Sequence, residues 1–109
     1  MRIKYEKLVR DKIPNIIANS GKKFQAHKLG NSGLENDFYH VLLQRKLKEE
    51  CKEYFESENI EELADIYEVI MAIANYHGLE MIDIINIAND KYEERGGFED
   101  RVYLEWVGE

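Results

Sequence analysis

The helix-period run at residues 60 to 77 (IEELADIYEVIMAIANYH) constrains this chain more than any other stretch. On a 3.6-residue period Leu63, Ala64, Ile66, Tyr67, Val69, Ile70, Met71, Ile73 and Ala74 surround nearly the whole circumference, and a helix apolar all round has to be covered on several sides. Its polar interruptions, Glu62, Asp65 and Glu68, fall within about 60° of Asp65 at 100° per residue. They make one acidic strip on an otherwise apolar element. A chain of 109 residues forms one domain with a modest core. Such a domain can hardly bury that helix alone, so a second copy is expected to cover part of it, giving a homodimer or higher homo-oligomer.

The rest of the chain supplies neighbours for this helix. Asn36 is a plausible cap for a long helix running to about Ser57, and Gly78 stops the run at 60 to 77. A further helix is expected from about Glu80 to Arg95, where Gly96 and Gly97 end it. Asp11 can cap a short helix with Pro14 in its first turn, Ile13, Ile16 and Ile17 as its apolar side, and Gly21 as its stop. Residues 3 to 9 (IKYEKLV) read as a strand, residues 23 to 28 as another, and Val102, Leu104 and Trp106 alternate as in a closing strand that pairs with the first. The expected fold is therefore mainly α: a helical bundle of three long helices and one short one, with a small sheet formed by the N- and C-terminal strands.

Two acidic pairs, Glu50 with Glu53 and Glu62 with Asp65, stand in the middle of this arrangement. A spacing of three puts both members of a pair on one helical face. With 22 acidic residues in the chain, a solvated face is the ordinary explanation of such a pair, and helical angles test it. Taking Leu43 as zero, Tyr39, Leu47 and Tyr54 lie within about 40° and mark the buried stripe; Glu50 lies about 20° from its centre, Glu53 about 80° off, and Glu49 about 120° off, towards solvent. A carboxylate in an apolar row is disfavoured without a partner. With a turn centred near residue 58 or 59, Glu50 and Glu53 lie about 10 Å from it and Glu62 and Asp65 about 8 Å, at 1.5 Å per residue. Antiparallel helices would then aim all four groups at one space. Each like-charge contact at 4 Å costs about 4 kcal/mol at an effective dielectric near 20, so the cluster needs a divalent cation or takes up protons.

All-oxygen ligands select Mg²⁺, with Mn²⁺ as the alternative, and Mg²⁺ commonly shares its remaining positions with substrate phosphates. Cations suited to such a phosphate are Lys46, one turn before Glu50, and Lys91 and Arg95, four apart on the helix from 80 to 95. Asn89 falls between Ile85 and Tyr92 on that helix's apolar row, where an amide needs a partner and could grip a ligand. The net charge of -7 argues against a nucleic-acid polymer as partner. The one cysteine, Cys51, allows no internal disulfide and reads as a buried helical residue. No run is apolar enough for a signal peptide or a membrane span, so the expected location is cytoplasmic, without membrane association.

The run KLKEECKE (46 to 53), then EELAD (61 to 65), then NDKYEER (89 to 95) resembles the MazG-like all-α nucleotide pyrophosphohydrolases and the related phosphoribosyl-ATP pyrophosphohydrolases. KLVRDKIP (7 to 14) and ERGGFEDRVYL (94 to 104) are similar to a subgroup of short proteins described as house-cleaning pyrophosphatases. The resemblance implies that Glu50, Glu53, Glu62 and Asp65 are magnesium ligands, that Glu50 and Glu53 belong to the catalytic set, and that Lys46, Asn89, Lys91 and Arg95 contact substrate. It implies hydrolysis of a nucleoside triphosphate, non-standard or damaged, to a monophosphate and pyrophosphate. Phosphoribosyl-ATP hydrolysis in histidine synthesis and a non-catalytic helical dimer that binds nucleotide or protein are the alternatives. In the RDKIP segment, Arg10 and Lys12 either meet a phosphate or flank a turn, the second being slightly favoured.

Overall fold

A computed structural model describes residues 2 to 109. The described residues form four α-helices: α1 (Ile13–Asn19), α2 (Gly33–Ser57), α3 (Glu61–Tyr76) and α4 (Met81–Arg95). Pro14 sits in the first turn of α1, where a missing N–H costs no helical hydrogen bond. Its preceding residue is Lys12 rather than Asp11, and no side chain caps it. α2 starts at Gly33, preceded by Ser32 in extended conformation, so Asn36 lies inside the first turn instead of capping it. Glu80 and Asp83 form a reciprocal capping box at the start of α4, with the Glu80 N–H donating to Asp83 Oδ2 at 2.8 Å.

The turn between α2 and α3 is as short as the spacing of the two runs requires. Glu58 adopts the left-handed conformation (φ 53°, ψ 23°), and its N–H donates to the Tyr54 carbonyl at 2.7 Å, closing α2. The Asn59 side-chain oxygen accepts from the Glu61 N–H at 2.9 Å, satisfying one of the free donors that open α3. The chain reverses here, and α2 packs antiparallel on α3. At the far end His40 stacks on Tyr76 with ring centroids 4.4 Å apart, and His77 meets His40 edge-on at 5.5 Å.

The α2–α3 hairpin holds the core. Leu42 and Leu43 of α2 and Val69 and Ala74 of α3 are the buried apolar residues among those described. α4 touches α3 alone among the helices, and every residue from Ile85 to Arg95 is exposed. The radius of gyration is 18.5 Å, against about 13 Å for a compact domain near this length. Leu63 and Tyr67 of α3 remain 42% and 46% exposed, so one chain leaves the all-round apolar helix partly uncovered.

The small terminal sheet does not form. Among the described residues there is no strand at 3 to 9, at 23 to 28 or at the C-terminus. Val102, Leu104 and Trp106 are 84%, 72% and 77% exposed, so Trp106 has no packing role within the chain. Alternation states which face of a strand is apolar, but a strand exists only where a second strand accepts its hydrogen bonds. The N-terminal segment instead meets the bundle through Lys7 and Arg10. No helix among the described residues is long and apolar enough to cross a membrane.

The left-handed residue at the hairpin turn gives a direct check. Glu58→Gly removes the Cβ contact that this conformation imposes and is expected to stabilise the protein by about 1 kcal/mol, read as a shift of the urea midpoint at constant slope.

Candidate metal centre

The hairpin brings the four acidic residues together where the helical angles aim them. Carboxylate oxygens of Glu50, Glu62 and Asp65 lie within 4.8 Å of one another, and so do those of Glu49, Glu50 and Glu53. Glu50 belongs to both groups. It is only 7% exposed, the sole charged residue among those described that is fully buried, and its Oε2 has no hydrogen-bond partner. Glu62 Oε2 is likewise enclosed and unpartnered. Two buried carboxylate oxygens without donors are the opposite of what a structural polar network provides.

The electrostatics follow from that placement. Burial first, then the neighbouring charge of Glu53, raise the Glu50 carboxyl above its ordinary value, with Asp65 adding to the effect and Lys46 opposing it. Glu62 is raised too, by loss of water around it and by the charges of Asp65 and Glu50. Glu49 is shifted the other way, because it accepts a hydrogen bond from Lys7 and faces Lys46. The cluster thus divides into a repelling interior and a compensated rim.

Glu49 is closer to this centre than its helical angle suggests. It lies about 120° from the buried stripe at 100° per residue, yet it is half-buried and shares a ligand group with Glu50 and Glu53. The N-terminal segment, which helical geometry within α2 leaves out of account, covers it through Lys7. Lys46 stands as expected beside the site, with Nζ 3.4 Å from Glu49 Oε2 and 3.5 Å from Glu50 Oε1.

The residues of α4 are not brought to this centre within one chain. Asn89 is exposed, as are Ile85 and Tyr92 on either side of it, so the row that they share is not a buried one. Lys91 and Arg95 line a shallow depression with Ala88, Tyr92 and the Gly96–Glu99 turn, and neither makes an ion pair with the carboxylates among the described residues. The cations that do reach the carboxylates from another segment are Lys7, 2.8 Å from Glu49 Oε1, and Arg10, 2.6 Å from Asp65 Oδ1. Arg10 belongs to the RDKIP run, which on chemical grounds alone is divided between a phosphate contact and a turn.

A divalent cation fits the donor set: all ligand atoms are oxygens, they come from two rigid helices, and two of them are enclosed without a donor. Glu50, Glu62 and Asp65 would hold it, with Glu53 at the edge of the same space. No family model matches the chain, and no curated protein or solved structure does so at a significant level.

The raised carboxyls set a sign for pH dependence in the metal-free protein. Because Glu50 and Glu62 titrate above their ordinary value of 4.5, the stability that they cost at neutral pH returns as pH falls through their folded values. Glu49, held below 4.5, gives stability that is lost only at still lower pH. In EDTA the melting temperature is therefore expected to rise on mild acidification from pH 7 and to fall below about pH 4.5. Glu50→Gln should raise the value at pH 7 and flatten the rise, as measured by thermal circular dichroism across a pH series.

Proposed function

We propose that this protein is a Mg²⁺-dependent nucleotide pyrophosphohydrolase, cleaving a nucleoside triphosphate between its α and β phosphates to a monophosphate and pyrophosphate. The observation that carries the reading is the buried Glu50 carboxylate, with its Oε2 unpartnered, at the meeting point of Glu53, Glu62 and Asp65. A scaffold would gain nothing from burying such a group, because replacing it by an apolar side chain removes both the desolvation cost and the repulsion. The resemblance of the three sequence runs to the MazG-like enzymes supports the same reading and implies a non-standard or damaged nucleotide.

In this reading the ligands are Glu50, Glu53, Glu62 and Asp65. When bound, the cation polarises the phosphoryl oxygens and lowers the pKa of water beside them. The remaining work belongs to side chains. A glutamate of the cluster, Glu50 or Glu53, accepts the proton of the attacking water, and its raised affinity for protons suits that task in the case of Glu50. Lys46, placed beside Glu49 and Glu50, offsets the negative charge that accumulates as pyrophosphate leaves. Helices α2 and α3 fix the carboxylates relative to one another, so little reorganisation is needed in the reaction.

We further propose that the working form is a homodimer. The half-exposed Leu63 and Tyr67 of α3 and the exposed Ile82, Ile85 and Ile87 of α4 supply an apolar surface that one chain leaves open. A second copy packed there would cover α3, and it gives Asn89, Lys91 and Arg95 a route to a carboxylate cluster that they do not reach within their own chain.

The test is pyrophosphate release from a panel of ordinary and modified nucleoside triphosphates and phosphoribosyl-ATP in the presence of Mg²⁺. Release from triphosphates is expected, and Asp65→Asn or Glu53→Gln should lower kcat/KM by roughly a hundredfold or more. Release from phosphoribosyl-ATP alone would move the protein to a biosynthetic role. Absence of release from every substrate, or full activity in either variant, would sink the assignment.

A further inference from the structure

The N-terminal segment approaches the carboxylate cluster from outside the two helices that build it. Lys7 Nζ is 2.8 Å from Glu49 Oε1 and Arg10 Nη2 is 2.6 Å from Asp65 Oδ1, contacts that span 42 and 55 residues of sequence. One cation therefore sits on the α2 side of the cluster and the other on the α3 side. Helix α1, which follows at once, touches no other helix. Lys12, two residues beyond Arg10, makes no ion pair among the described residues.

These pairs are poor structural ties. The side chains of Arg10 and Lys7 are 57% and 39% exposed, and ion pairs so open to water hold a segment weakly. They are better suited to exchanging partners. Lys46 is held between Glu49 and Glu50, and Lys91 and Arg95 lie on the exposed half of α4. Lys7 and Arg10 are the water-accessible cations standing at the rim of a site whose buried Glu50 Oε2 lacks any partner.

An acidic cluster on a chain of net charge -7 repels a polyphosphate unless cations meet it at the entrance. We propose that Lys7 and Arg10 form the phosphate-binding rim of this site: paired with Glu49 and Asp65 while the carboxylates lack a divalent cation, they turn to the non-bridging oxygens of a di- or triphosphate that enters as its magnesium complex. The inference rests on the pyrophosphohydrolase reading and names the residues that take the phosphates of its substrate. The Arg10 guanidinium can give two parallel N–H bonds to one phosphate, and the Lys7 ammonium supplies a compact charge beside it. The carboxylates that they release become free to bind metal, so cation exchange at Asp65 and phosphate capture by Arg10 are two halves of one event.

Calorimetric titration of the full chain tests this, with Mg²⁺ plus inorganic pyrophosphate or tripolyphosphate as the probe and Mn²⁺ alone as the reference, followed by electron paramagnetic resonance. Arg10→Gln and Lys7→Gln are each expected to weaken binding of the magnesium–polyphosphate complex by about tenfold or more. Mn²⁺ alone should bind as tightly as to the parent protein or tighter, since a competing cation has gone. Arg10→Lys should recover part of the loss, and Lys12→Gln should behave as the parent, with far-UV circular dichroism verifying the fold of each variant. Equal polyphosphate binding by the parent and the Lys7→Gln/Arg10→Gln double variant overturns the proposal. A parallel loss of Mn²⁺ binding does so too, because that is what a merely structural strap produces. If the double variant hydrolyses nucleotides undiminished, the rim fails and the hydrolase stands; if the parent releases no pyrophosphate yet binds tripolyphosphate through Arg10, the hydrolase fails and the rim stands.

Discussion

The structure turns on the repulsion between carboxylates enclosed at the hairpin of α2 and α3. Glu50 is buried with an oxygen that finds no donor, and its neighbours Glu53 and Asp65 raise the energy of its charged form further. Nothing on α2 or α3 apart from Lys46 offsets this. Lys7 and Arg10 of the N-terminal segment meet this negative charge at its rim, through pairs open to water, at the place where the two helices pack together. A core of so few buried apolar residues has little surplus stability to spend on an idle charge cluster.

The hairpin itself is rigid for ordinary reasons: a left-handed residue at the end of α2, an asparagine side chain opening α3, and stacked aromatic rings at the far end. Those features hold the register of the two helices, and register decides whether carboxylates three apart on each helix meet or miss. Beyond Ile84, α4 contributes nothing to that register in one chain. Its apolar residues and the extended C-terminal arm, with Tyr103, Leu104 and Trp106 exposed, present more apolar surface than an isolated chain of this size ordinarily leaves to water.

Much of the architecture was legible in the sequence because helix boundaries are local. Gly78, the Gly96–Gly97 pair and the polar residues near 58 interrupt hydrophobic periodicity at single points, and α3 and α4 begin and end within about three residues of those marks. The convergence of Glu50, Glu53, Glu62 and Asp65 was legible as well, since a short antiparallel turn leaves only one way to align the two pairs. The terminal sheet was not. Its alternation is present in the sequence, but pairing is a non-local event that depends on where the other end of the chain goes. Asn89 was misplaced for a related reason: a row shared with Ile85 and Tyr92 is apolar in pattern, and whether it is buried depends on what lies opposite.

The sequence by itself determined the four helices and the angular position of each acidic side chain, because both follow from the 3.6-residue period and the residues that break it. Apart from Lys46, one turn before Glu50, only the tertiary structure decided which cations attend those acids. Lys91 and Arg95 carry the right charge at helical spacing and lie apart from the carboxylates, whereas Lys7 and Arg10, on a segment with no regular structure, reach them over 42 and 55 residues. Charge acts through space, and no periodicity along the chain records which distant side chain will be nearest to it.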